Sequence, residues 1–178
     1  MIEIETRQLA GIPVLHAFPT NKHDLSLPCV IVYHGFTSSS LVYSYFAVAL
    51  AQAGFRVIMP DAPDHGTRFH GNAQERMHRF WQILQQNMQE FKALRAALVA
   101  ENWLLDERLA VAGASMGGMT TLGIMARHPE VKCAACLMGS GYFTRLAHTL
   151  FPPVLVQTTE LQAEFDAIVA PLADWEVT

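Results

Sequence analysis

The chain has 178 residues, 51% hydrophobic and 16% charged, which suits one globular domain with a substantial core and not a disordered chain. A net charge of −4 with scattered Lys and Arg argues against nucleic-acid binding. Three cysteines in apolar surroundings cannot all pair with one another, and they read as buried thiols in a reducing compartment. The first residues alternate apolar and polar without a signal-like stretch. No apolar run approaches the roughly 18 residues of a membrane span, so a cytoplasmic protein without a membrane partner is expected.

Residues 1–18 read as two short antiparallel strands around a turn at Gly11. After the polar turn 21–24, residues 29–33 form a β-branched run typical of a strand covered on both faces. His34-Gly35-Phe36 and a serine-rich loop follow, then a helix over about 43–53 that stops at Gly54. A second buried strand occupies 55–59 and ends at Pro60, leading into a loop rich in Asp, His, Pro and Gly. From 73 to about 102 Met77, Phe80, Trp81, Leu84, Met88, Phe91, Leu94 and Leu98 recur at helical spacing, as one long helix or two with a bend. Strands are expected over 108–112 and 131–138, with a helix over 118–128 that ends before Pro129. This alternation predicts an α/β fold, a mostly parallel sheet with helices on both faces. Beyond Gly141 the pattern changes to helical segments broken by Pro152-Pro153. Residues 1–141 are therefore expected to form the core, and 142–178 a cap-like helical segment.

Gly113-Ala114-Ser115-Met116-Gly117 sits between a buried strand and a helix. In that setting Gly-x-Ser-x-Gly is a nucleophile elbow: a strained turn lifts the serine hydroxyl above the sheet, and flanking glycines let strand and helix approach. The helix amino terminus favours negative charge on a nearby oxygen. A dinucleotide-binding turn does not fit, because Ala114-Ser115 replaces the second glycine and Met138-Gly139 stands where an acidic residue belongs. Acyl transfer needs two donors for the developing oxyanion. Met116 and, on the loop after the first buried strand, Phe36 are the candidates.

Tyr33-His34-Gly35-Phe36-Thr37-Ser38-Ser39-Ser40, Pro60-Asp61-Ala62-Pro63-Asp64-His65-Gly66 and the elbow together resemble the α/β-hydrolase superfamily. More narrowly, they resemble small bacterial carboxylesterases of the YjfP type, in the branch related to prolyl oligopeptidase and dienelactone hydrolase. The resemblance runs along essentially the whole chain. It implies hydrolysis of short-chain carboxylic esters through a serine–histidine–acid mechanism, with a small-molecule ester as partner and no cofactor or metal. Ser115 matches the nucleophile, and Phe36 and Met116 match the oxyanion positions.

In that family the acid and histidine follow on later strands, and no residue before Thr178 corresponds to them. The expectation is an α/β-hydrolase truncated before its last strands, with impaired activity and an exposed apolar edge at 131–138 that favours self-association. His34, His65, His128 and His148 read as loop or surface histidines rather than substitute bases. Asp61, Asp64 and His65 are expected to shape the pocket rim or to fix the loop through local hydrogen bonds, and Phe143, Phe151, Trp175 and Met119 to line an acyl pocket. Cys133 and Cys136, three apart on a strand, face opposite ways and cannot chelate one ion. Two alternatives use the same elements: an acyltransferase sharing the elbow, and a non-catalytic binding module.

Overall fold

The computed structural model describes residues 1–177. Six strands form one sheet in the order β1-β2-β4-β3-β5-β6. They are β1 (Ile2–Leu9), β2 (Ile12–Pro19), β3 (Leu27–Tyr33), β4 (Arg56–Pro60), β5 (Leu104–Ala114) and β6 (Cys133–Leu137). The β1–β2 hairpin is antiparallel and β2 joins β4 antiparallel, whereas β4, β3, β5 and β6 run parallel. The helices are α1 (Ser44–Gln52), α2 (Ala73–His78), α3 (Phe80–Ala100), α4 (Met116–Arg127), α5 (Phe143–Leu146) and α6 (Thr159–Val169).

Strand alternation divides the core into two layers. Val30 and Val32 of β3 pack with Val57 and Met59 against Ala47 and Ala51 of α1. Cys29, Ile31 and Tyr33 point the other way, into a larger cluster holding Trp81, Leu84 and Met88 of α3 and Met116 and Ile124 of α4. Helices thus cover both faces, as the strand–helix alternation predicts. Phe143, Phe165, Leu172 and Trp175 join the same large cluster, so the C-terminal helices pack on the α3/α4 side. Among the described residues no helix is long and apolar enough to cross a membrane.

Several details sharpen or depart from the sequence expectation. Of the two readings of 73–102, the structure takes the bent one: the backbone leaves helical geometry at Arg79 (φ −102°, ψ 12°) and the segment is two helices. A 3-10 turn at Ala170–Trp175, with Pro171 in its opening positions, was not foreseen. Of the three cysteines only Cys29 is buried; Cys133 is exposed and Cys136 half-buried. The apolar neighbours of Cys133 in sequence lie on β6, and among the described residues that edge strand pairs with β5 alone, so local composition misstates its burial.

At the amino-terminal ends of the parallel strands a buried guanidinium ties the sheet to the loop after β2. Arg56 donates to the carbonyls of Lys22, His23 and Leu25 at 3.2, 2.8 and 2.7 Å, and to His16 Nε2 at 2.6 Å. An arginine has no acceptor to offer, so the His16 proton lies on Nδ1, which donates to Glu5 at 2.9 Å. The Trp103 ring stacks on His16 at 4.4 Å and lies 4.5 Å from the guanidinium carbon. Burial, reinforced by Arg56, pushes His16 down to about 4. Its native pKa is therefore below the unfolded value of about 6.5. The associated stability is fully present above about pH 6.5 and is lost as pH falls toward 4. The urea midpoint is expected to drop across that window, and His16→Gln to flatten part of the drop in titrations at stepped pH.

Candidate active site

β5 runs into Ser115, which takes φ 56° and ψ −118° before α4 begins at Met116. A non-glycine residue with positive φ in so tight a turn is strained. The surroundings hold it: the Ser115 amide donates to Leu137 O of β6 at 2.8 Å, and its carbonyl accepts from the Met119 amide at 2.9 Å. Ser115 is exposed while Ala114, Met116 and Gly117 beside it are buried. A Cβ on Gly117 would run into the Tyr33 carbonyl, and one on Gly113 into the Gly117 carbonyl. Both glycines therefore permit backbone-to-backbone contact between strand and helix, as the spacing predicts. Thr120 and Thr121 hydroxyls bond back to the carbonyls of Met116 and Gly117, both at 2.9 Å, and Asn87 of α3 donates to Thr120.

The loop after β3 lies against this turn: a Cβ built on Gly35 would stand 3.6 Å from the Ser115 Cβ. Among the described residues the Phe36 amide makes no backbone hydrogen bond. The Met116 amide opens α4, so no partner exists within the helix. Two unsatisfied backbone donors thus flank the elbow from different elements.

His34 and His65 lie on loops, as expected, but are buried there and not at the surface, with both ring nitrogens engaged. His34 Nδ1 donates to Gly35 O at 2.8 Å and its Nε2 accepts the Ala62 amide at 3.0 Å. His65 Nδ1 donates to Pro63 O at 2.8 Å and its Nε2 accepts the Thr37 amide at 2.9 Å. Burial lowers both pKa values, that of His65 to about 4, which keeps each ring neutral and able to accept. Asp61 adds a third link, with Oδ1 accepting the Ser40 amide at 2.9 Å and Oδ2 accepting the Thr67 amide and hydroxyl at 3.0 and 2.9 Å. Burial alone would raise the Asp61 pKa; these donors outweigh it and bring it below the usual value. Asp64 is buried but turns toward the His70 amide at 2.9 Å and toward Arg79, so it braces its own loop.

The Phe36 ring packs against Phe80 and Phe151, with centroids 4.9 and 5.2 Å away, and against His65 at 5.2 Å. Of the four residues expected at a pocket, Phe151 reaches this wall, whereas Phe143, Trp175 and Met119 are buried in the core. Periodicity places Phe80 inside a helix but cannot place it beside Phe36. His128 bonds Glu130 at 3.0 Å, and the His148 ring lies tilted against Phe165 with centroids 4.7 Å apart. A cavity of about 550 Å³ lies behind the loops, between Ser40, Leu41, Asp61 and Thr67 and the β1–β2 hairpin; Ser115 does not line it.

Glu5, His16 and His23 bring three ligand-type atoms within 4.8 Å of one another, a grouping that the sequence did not signal. The donor set fits a metal poorly. Ligation through His16 Nδ1 would move the ring proton to Nε2, against the N–H of Arg56. The cluster reads as a hydrogen-bond network.

Residues 26–168 match the family described as serine aminopeptidase, S33. Over all 178 residues the chain is 71% identical to Esterase YjfP of Escherichia coli (strain K12), of which it spans 72%. It is 36% identical over 147 residues to YitV of Bacillus subtilis (strain 168), covering 82% of this chain and 58% of that protein. The acylaminoacyl peptidase of Pyrococcus horikoshii superposes with a TM-score of 0.69 at 15% identity, over 96% of this chain and 29% of its own, which is a likeness of fold.

Gly117→Ala is expected to destabilise the chain by at least about 2 kcal/mol, since the opposing Tyr33 carbonyl is backbone and cannot swing away. Ser38→Ala, in the neighbouring loop, serves as the neutral reference in urea titrations.

Proposed function

This chain belongs to the serine aminopeptidase S33 family, among the α/β-hydrolases, and on that premise we propose that it is a serine carboxylesterase chain acting on short-chain carboxylic esters. The observation that carries the reading is the pairing of an exposed, strained Ser115 with two unsatisfied amides from different elements, Phe36 and Met116. The Ser115 hydroxyl attacks the ester carbonyl, the two amides receive the oxyanion, and the alcohol leaves an acyl-enzyme that water hydrolyses. Residues 1–141 supply this core. Residues 142–178 act as the cap-like segment, which lends Phe151 to the apolar wall beside Phe36. The name of the E. coli relative supports ester chemistry.

The general base is none of the imidazoles close to the elbow in this fold. His34 and His65 are committed at both nitrogens, while His128 lies at the far end of α4 from Ser115 and pairs with Glu130. With those imidazoles engaged, residues 1–178 by themselves are expected to hydrolyse esters slowly, at what binding and the oxyanion donors contribute, about 10³–10⁴ over water. With p-nitrophenyl acetate, weak hydrolysis is expected that Ser115→Ala removes. Hydrolysis indifferent to Ser115→Ala would overturn the nucleophile assignment. Brisk hydrolysis that depends on Ser115 would overturn the claim about the base.

The exposed edge at β6, with Leu137 at 43% and Met138 at 85% exposure, is proposed as a self-association surface. Sedimentation velocity is expected to show species larger than the 19.7 kDa monomer, fewer of them in Leu137→Lys. A single monomeric boundary at tens of micromolar would remove this assignment.

A further inference from the structure

Phe36 lies between two peptide planes, and each is held by a different imidazole. The plane before it joins Gly35 C=O to the Phe36 N–H. In a trans peptide these groups point in opposite directions, so fixing one fixes the other. The Gly35 carbonyl accepts from His34 Nδ1 at 2.8 Å and from the Ser38 amide at 3.2 Å. The plane after it joins Phe36 C=O to the Thr37 N–H, which donates to His65 Nε2 at 2.9 Å. Thr37 takes φ 62°, a left-handed conformation that a β-branched residue rarely adopts without restraint.

We propose that His34 and His65 are positioning residues that bracket Phe36 and aim its amide at the oxyanion formed on Ser115. This rests on the assignment of Phe36 and Ser115 above. The two rings are anchored in crossed fashion. His34, in the loop after β3, is held by the Ala62 amide of the loop after β4, while His65, in the later loop, holds Thr37 of the earlier one. Their ring centroids lie 5.3 Å apart. Each tautomer is fixed by its neighbours: an amide donor faces Nε2, so the proton sits on Nδ1 in both. Asp61 fastens the same two loops through Ser40 but touches neither plane around Phe36, so it steadies the loop without aiming the amide.

The test uses the full chain labelled with 15N. Both rings are expected to show the Nδ1-protonated tautomer, and the Thr37 amide slow hydrogen exchange. His65→Leu is expected to abolish the Thr37 protection, and His34→Leu to move the Phe36 amide resonance. His65→Gln keeps an acceptor near the Nε2 position and His34→Asn a donor near Nδ1, so these variants stay close to wild type. Should the leucine variants not fold, His65→Asn, too short to reach Thr37, makes the same comparison against His65→Gln.

A second arm measures the equilibrium affinity for phenylboronic acid, whose tetrahedral adduct on Ser115 places an oxygen at the oxyanion position. The leucine variants and His65→Asn are expected to bind at least about tenfold more weakly, and His65→Gln and His34→Asn within about threefold of wild type. Amides unchanged in the leucine variants would overturn the bracket itself. Amides that move while boronate affinity holds, or boronate binding unaffected by Ser115→Ala, would overturn the oxyanion reading beneath it.

Discussion

The carbonyl of Tyr33 and the first turn of α4 meet at Gly117 with no room for a side-chain carbon. Everything proposed for the site depends on that contact. It fixes where β3 ends relative to the turn that lifts Ser115, and the loop beginning at His34 starts one residue later. A wider separation would leave Ser115 strained but without Phe36 in reach. Gly113 and the Ser115–Leu137 bond set the same turn against β5 and β6, so three neighbouring strands locate one exposed hydroxyl.

The loops after β3 and β4 lack a sheet ladder to satisfy their amides, yet His34, Gly35, Ser40 and the whole of 61–65 are buried. Side chains do the work instead, each reaching across to the other loop: His34 to Ala62, His65 to Thr37, Asp61 to Ser40. Backbone groups buried in this way need partners, and neutral imidazoles supply them only while unprotonated. Acid therefore acts on two distant parts of the molecule alike, His16 under the sheet and His65 above it, each pushed to about 4 by burial.

Much of this was legible in the sequence, for local reasons. The Gly113–Gly117 spacing named the elbow because sterics leave little choice of residue there, and the strand–helix alternation pointed to a mostly parallel sheet but not to its strand order. His34 and His65 were visible as residues but not as partners, because their bonds join segments 28 positions apart. The Phe36–Phe80–Phe151 wall was hidden for the same reason, since periodicity reports which face of a helix is buried and not what covers it. Cys133 was misplaced because a parallel edge strand has the same composition as an interior one.

β4 links the two ends of the sheet. All five of its residues are buried, Arg56 is gripped at one end, and Pro60 delivers Asp61 at the other. A strand of that length is a rod of about 16 Å with little freedom to slide. Its lower end is set by Trp103, His16 and three carbonyls, at the opposite end of the strand from Asp61. One buried strand, laddered to β2 and β3, thus joins the Arg56 clamp mechanically to the Asp61 and His65 loop that flanks the serine.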